Sequence, residues 1–81
     1  MPHDVLLWIR PGCHLCEELQ PALASVCDDE GAVLTTRDVD SDAEARELYG
    51  EAIPVVIVDG VQRGMLRVDP ERIRRVLRGT E

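Results

Sequence analysis

The sequence contains no phenylalanine, and its aromatic residues are limited to Trp8 and Tyr49. Basic side chains are also scarce, because nine of them stand against sixteen acidic ones and the formal charge is -7. A protein that binds nucleic acid presents basic patches to phosphates and aromatic faces to bases. The composition therefore argues against a nucleic-acid partner.

Long apolar segments are missing as well. The longest uninterrupted apolar run is residues 5–9, whereas a membrane-spanning helix needs about 20 such residues. Residues 1–4 lack the basic start of a secretory signal. We therefore expect one domain over residues 1–81 that is cytoplasmic, does not contact a membrane and is a monomer.

Blocks of apolar and polar residues predict an α/β fold. Residues 5–9 and 53–58 are apolar runs of the kind found in strands that are covered on both faces. Residues 32–39 and 61–68 are more polar, so we expect these two strands at the edges of the sheet. Apolar residues recur at helical spacing over residues 13–29, which predicts the first helix.

Turn and capping residues mark the remaining elements. An Asp-Gly pair at 59–60 predicts a hairpin, so the last two strands should be antiparallel neighbours. Residues 41–44 (Ser-Asp-Ala-Glu) form a capping box that begins at Ser41 and predicts a second helix, ended by Gly50. An Asp-Pro pair at 69–70 predicts the start of a third helix. The order β-α-β-α-β-β-α predicts a mixed four-stranded sheet with helices on both faces.

Cys13 and Cys16 stand in a Cys-x-x-Cys spacing directly after the first predicted strand. Three cysteines are too few for a disulfide-stapled secreted scaffold, so the pair indicates redox or metal chemistry. Free N–H groups and the helix dipole at a helix start favour a thiolate on Cys13. Residues three apart there can approach the Cα separation of a disulfide, about 5.5 to 6 Å. The pattern predicts a reversible dithiol switch.

Zinc is the competing interpretation of this spacing, and its further ligands would have to come from His14, His3 or Cys27. Cys27 lies about 16 Å along the helix from Cys16, and a strand separates His3 from the cysteine loop by about 20 Å. His14 alone cannot complete the site, so redox chemistry is favoured. An iron–sulfur cluster shared between two chains is a further alternative. Cys27 is then either a small buried hydrophobic residue or a regulatory thiol.

Charged residues flank the cysteine pair. Arg10 would stabilise a Cys13 thiolate, whereas Glu17 and Glu18 place negative charge near it. His14 either donates a hydrogen bond to the thiolate or is an exposed residue with no role in the chemistry.

Residues 10–16 (Arg-Pro-Gly-Cys-His-Leu-Cys) follow a hydrophobic strand, and residues 53–56 (Ile-Pro-Val-Val) precede a hairpin. This combination resembles the glutaredoxin branch of the thioredoxin superfamily, and in particular the short bacterial glutaredoxin-like proteins. The likeness covers nearly the whole chain. It implies a thioredoxin/glutaredoxin-like fold.

The resemblance also implies roles for individual residues. Cys13 would be the exposed nucleophile and Cys16 the resolving thiol. Pro54 would follow a cis peptide bond and face the dithiol. Arg10, His14 and Pro54 are then the residues expected to tune the redox properties of the pair.

The resemblance implies a substrate site around the dithiol as well. Glutathione-using members have a basic residue three positions before the nucleophile, which Arg10 matches, and a groove beside the cis-proline, Pro54, where Ile53 offers a main-chain contact. Leu15 and Gly64, the latter a candidate bulge or close-approach point, complete the expected site. The family's Gly-Gly pair is reduced to one glycine here, and its Asp is displaced. We therefore expect glutathione to be a poor specific partner.

These features predict a dithiol-disulfide oxidoreductase that reduces protein or low-molecular-weight mixed disulfides through Cys13 and Cys16. Its partners would be a disulfide-containing protein and a thiol reductant, either glutathione or a thioredoxin-reductase system. We expect no tightly bound cofactor and no metal, with glutathione as a candidate reductant. The alternative from another class is a noncatalytic module that holds a partner beside Pro54 and uses the cysteines as a redox-sensitive clasp.

Overall fold

The helices and strands follow the predicted order in the computed structural model, which describes residues 1–81. The strands are β1 (Asp4–Ile9), β2 (Val33–Asp38), β3 (Val55–Val58) and β4 (Val61–Met65). The helices are α1 (His14–Glu30), α2 (Ala43–Tyr49) and α3 (Pro70–Arg78), with a short 3₁₀ turn (Val39–Ser41) after β2. No helix combines the length and the apolar composition needed to cross a membrane.

The four strands form one mixed sheet in the order β2-β1-β3-β4. β1 is parallel to β2 and antiparallel to β3, and β3 is antiparallel to β4. The more polar strands, β2 and β4, are therefore the edges, as the sequence predicts. The α/β class and the mixed four-stranded sheet are confirmed.

Both faces of β1 are buried, which explains its continuous apolar sequence. On one face, Val5 and Leu7 are at most 1% exposed and pack in one cluster with residues of α1 and α3, including Leu23 and Ile73. On the other face, Trp8 packs in a second cluster that includes residues of α2 and β3. The prediction of helices on both faces is confirmed.

The β3-β4 hairpin contains a turn and a bulge. Asp59 and Gly60 both have positive φ, 49° and 83°, as a type I′ turn requires. Val56 pairs with Gly64 but Ile57 pairs with Gln62, so one extra residue of β4 bulges between them. A Cβ on Gly64 would lie 3.1 Å from the Val68 side chain, so a close approach is present there too.

The start of α2 differs from the sequence prediction. Asp42, not Ser41, is the N-cap, and its carboxylate accepts a hydrogen bond from the Ala45 N–H at 3.0 Å. Ser41 still belongs to the 3₁₀ turn, and its hydroxyl donates to the Asp38 carbonyl at 2.6 Å. The chain becomes extended only at Asp42, with φ -134° and ψ 114°, so the capping position moves one residue onward. The third helix begins as predicted, with Asp69 as its N-cap.

The position of this cap can be tested by unfolding. We expect Asp42→Ala to lower the free energy of unfolding by about 1 kcal/mol, because it removes the oxygen that accepts from a first-turn N–H. Ser41→Ala should cost less than about 0.5 kcal/mol, as is usual for an exposed substitution. Urea denaturation of both variants, with Asp42→Asn as a control that keeps an accepting oxygen, measures the difference. A larger loss for Ser41→Ala than for Asp42→Ala would place the cap at Ser41.

Candidate active site

A tight turn carries the chain from the end of β1 to the start of α1. Gly12 has φ 79°, a conformation that side chains disfavour. The Cys13 N–H donates to the Arg10 carbonyl at 3.2 Å, which closes the turn. Cys13 is therefore the N-cap of α1, with φ -83° and ψ 112°, rather than a residue of its first turn.

Cys13 and Cys16 are joined by a disulfide, with their Cα atoms 5.2 Å apart. The Cys13 Sγ also accepts a hydrogen bond from the Cys16 N–H at 3.2 Å. A sulfur at this capping position faces the positive end of the helix dipole, which favours the thiolate once the bond is reduced. Cys13 is half-buried, whereas Cys16 is 2% exposed. Only Cys13 is therefore accessible to another molecule.

Pro54 lies at the same end of the sheet as the cysteine loop. Trp8 pairs with Val55 in antiparallel register. Pro54 comes just before Val55 in the chain and therefore lies next to the end of β1. The Ile53–Pro54 peptide bond is cis, and Pro54 is buried while Ile53 is half-buried. The Leu66 N–H donates to the carbonyl of Pro54 at 2.9 Å and to that of Ala52 at 3.0 Å. These bonds fasten the segment before β3 to the residue after β4.

A cleft of about 270 Å³ lies between α1 and the segment that connects β4 to α3. Leu15, which stands between the two cysteines in sequence, forms part of one wall, and Leu66, 44% exposed, forms part of the other. The remaining lining residues are Glu18, Leu19, Arg67, Val68 and Pro70. Gly64 does not line the cleft, but it closely approaches Val68, which does.

Leu66 is a site residue that the sequence interpretation did not single out. It has φ 62°, which is unusual for a side chain of this size, and its backbone is held there by the two carbonyls of the Pro54 segment. An apolar residue just after an edge strand and before Arg67 is the only signal in the sequence that points to it.

Arg10 contacts a carboxylate of its own chain. Its Nε and Nη2 donate to the two oxygens of Asp40 at 2.8 and 3.0 Å, and its Nη1 donates to the Gly50 carbonyl at 2.9 Å. The hydrogen bond to the Arg10 guanidinium lowers the pKa of Asp40, and the same bond raises the pKa of Arg10. The cation that precedes the cysteine loop is thus paired with an anion.

His14 contacts an acidic side chain of α1, and Cys27 belongs to the core. His14 is 82% exposed, and its Nε2 is 3.1 Å from the Glu18 carboxylate. Cys27 is buried in the larger core, where desolvation raises the pKa of its thiol and favours the neutral form. No three His, Cys, Asp or Glu side chains are grouped closely enough to hold a metal ion.

A mixed four-stranded sheet with a Cys-x-x-Cys pair at the start of its first helix defines a protein of the thioredoxin-fold class. The family model described as "Glutaredoxin-like domain (DUF836)" matches residues 4–78. The chain belongs to this glutaredoxin-like family.

Known proteins agree with this assignment. An uncharacterized protein of Mycobacterium tuberculosis is 33% identical, and the match covers 88% of this chain and 78% of that protein. An X-ray structure of a protein from X. campestris is similar with a TM-score of 0.71 and 28% identity, over 95% of this chain and 99% of the other. A thioredoxin from Halobacterium salinarum shares the fold, with a TM-score of 0.75 and 20% identity, over 98% of this chain and 75% of that one.

The unequal burial of the cysteines predicts an order of reactivity. In the reduced native protein we expect iodoacetamide to modify Cys13 first and Cys16 and Cys27 much more slowly, because only Cys13 combines access with a stabilised thiolate. After denaturation, the oxidised protein should take up one label, on Cys27, and the reduced protein three. Peptide mapping of timed samples gives both results. Labelling of Cys27 as fast as Cys13, or a disulfide that includes Cys27, would contradict the arrangement.

Proposed function

We propose that the protein is a dithiol-disulfide oxidoreductase in which Cys13 attacks and Cys16 resolves. The observation that carries the proposal is the bonded pair at the start of α1, in which Cys13 is half-buried and Cys16 is 2% exposed. A structural disulfide gains nothing from leaving one sulfur accessible at a helix N-terminus. An exchange reaction needs that asymmetry, because an incoming disulfide must reach one cysteine only.

In the first step, the Cys13 thiolate attacks one sulfur of a substrate disulfide. A Cys13–substrate bond forms, the substrate S–S bond breaks, and the departing thiolate takes the bonding pair and later a proton. The Cys16 N–H, which donates to the Cys13 Sγ at 3.2 Å, supports the negative charge on the attacking atom.

In the second step, Cys16 gives up its proton and attacks Cys13. The disulfide within the chain forms, and the substrate leaves as its second thiolate. The Cα atoms of the pair are 5.2 Å apart, within the range for a disulfide, so the disulfide can form without a shift of the α1 backbone. A thiol reductant, either glutathione or a thioredoxin-reductase system, must then return two electrons to the pair.

The surroundings of the dithiol favour a protein disulfide as the substrate. Leu15 and the exposed Leu66 offer apolar contacts to a peptide segment on either side of the substrate cysteine. Ile53, half-buried before Pro54, is the candidate for a main-chain contact to the same segment. A small tripeptide such as glutathione, which carries two carboxylates and an ammonium group, has little apolar surface with which to contact these walls.

The division of roles predicts that Cys16→Ser traps substrates. Attack by Cys13 should survive, but release should fail because serine is a negligible nucleophile toward sulfur at neutral pH. Cys27 should not substitute, since it is buried about 16 Å along the helix from Cys16. Intact mass after incubation with a disulfide substrate should show a stable adduct, which peptide mapping places on Cys13.

Cys13→Ser is the matched control for this experiment, because it has the same change of atom at the other cysteine. It should form no adduct. Equal trapping by both variants would mean that the roles are reversed or that Cys27 is the attacking residue. No adduct on either variant would rule out the proposed reaction.

A further inference from the structure

Arg10 already binds two groups of its own chain. Three of its N–H groups are used, two by Asp40 in a bidentate pair and one by the Gly50 carbonyl. The pair is nevertheless accessible, since the Arg10 side chain is 37% exposed and that of Asp40 is 40% exposed. A solute that reaches Arg10 therefore meets a guanidinium already bound to a carboxylate.

The Arg10–Asp40 pair lies at the same end of the sheet as the dithiol. β1 and β2 are parallel, with Ile9 opposite Asp38, so the segments that follow them emerge side by side. Arg10 begins the first segment, which turns into Cys13 through the bond from the Cys13 N–H to the Arg10 carbonyl. Asp40 lies in the second. A disulfide approaching Cys13 thus approaches both charges.

A carboxylate in the same chain has an advantage over one in solution. Its effective concentration is on the order of millimolar or higher, so it occupies the guanidinium before a dilute solute does. A substrate carboxylate would also be repelled by Asp40 itself, and Asp38 adds a further negative charge close by. Neutral substrates are subject to neither effect.

We propose that Asp40 is a specificity-determining residue, which occupies Arg10 and so makes the dithiol select against disulfides that carry carboxylates. The inference rests on the proposed function, because the selection acts on the attack by Cys13. In that step the Cys13–sulfur bond forms, the S–S bond of the incoming disulfide breaks, and one thiolate leaves with the bonding pair. Asp40 takes no part in bond making. It determines whether Arg10 is free to hold the carboxylate of the incoming molecule.

The test compares two disulfides in the Cys16→Ser background, where only the attack by Cys13 is measured. Glutathione disulfide is the carboxylate-bearing probe, and 2-hydroxyethyl disulfide is the neutral one. Asp40→Ala should raise the second-order rate constant of adduct formation with glutathione disulfide about threefold to fivefold, the upper part of the range for one solvent-exposed charge contact. The rate constant with the neutral disulfide should change less than about twofold. Asp40→Asn keeps an accepting oxygen but not the charge, so its rate constant with glutathione disulfide should lie between those of the parent and of Asp40→Ala. It replaces the alanine variant if that variant does not fold.

Two controls separate release of Arg10 from a general loss of negative charge. In an Arg10→Gln background, Asp40→Ala should raise the ratio of the two rate constants less than about twofold, because only the direct repulsion is removed and there is no guanidinium to release. Glu51→Gln removes an exposed carboxylate beside Gly50 that forms no ion pair, and it should leave the ratio unchanged.

The outcomes distinguish the two proposals. An unchanged ratio in both Asp40 variants, or an increase that is as large without Arg10 as with it, would overturn the role of Asp40 while leaving the dithiol chemistry intact. Failure of Cys13 to attack either disulfide before any change at Asp40 would overturn the proposed function itself.

Discussion

The site depends on where α1 begins. A buried central strand ends at Ile9, and a turn closed by the Cys13 N–H and the Arg10 carbonyl places Cys13 at the N-cap. The capping position aims the Cys13 Sγ at the Cys16 N–H, and one helical turn places Cys16 beneath it in the core. Access, charge stabilisation and disulfide geometry thus follow from one local feature, since moving the cap by one residue would change all three.

The second part of the site comes from β3 and β4, on the other side of β1 from β2. β3 is antiparallel to β1, so its entry residue Pro54 reaches the end where α1 begins. The Leu66 N–H, bonded to the Pro54 and Ala52 carbonyls, brings the segment after β4 to the same place. The central position of β1 therefore builds the candidate site as well as the core, because it brings together segments far apart in sequence.

The order of elements, the edge strands, the hairpin and the cysteine pair could all be predicted from the sequence, because each depends on local patterns such as apolar runs, caps and turn residues. The N-cap of α2 could not, since the 3₁₀ turn that contains Ser41 shifts it to Asp42. Contacts between residues distant in sequence could not be predicted either. Nothing in the sequence near Arg10 points to Asp40, thirty residues away, and only the fold brings Leu66 opposite Leu15.

The central claim is that the pair cycles between dithiol and disulfide during catalysis, and repeated turnover tests it most directly. The measurement is reduction of a model protein disulfide in substrate excess, followed through NADPH consumption with glutathione plus its reductase and, in parallel, with a thioredoxin-reductase system. The account predicts many equivalents reduced per chain with at least one donor, and none by Cys13→Ser. Reaction that stops after one equivalent with both donors would contradict it and indicate a binding module with a redox-sensitive clasp.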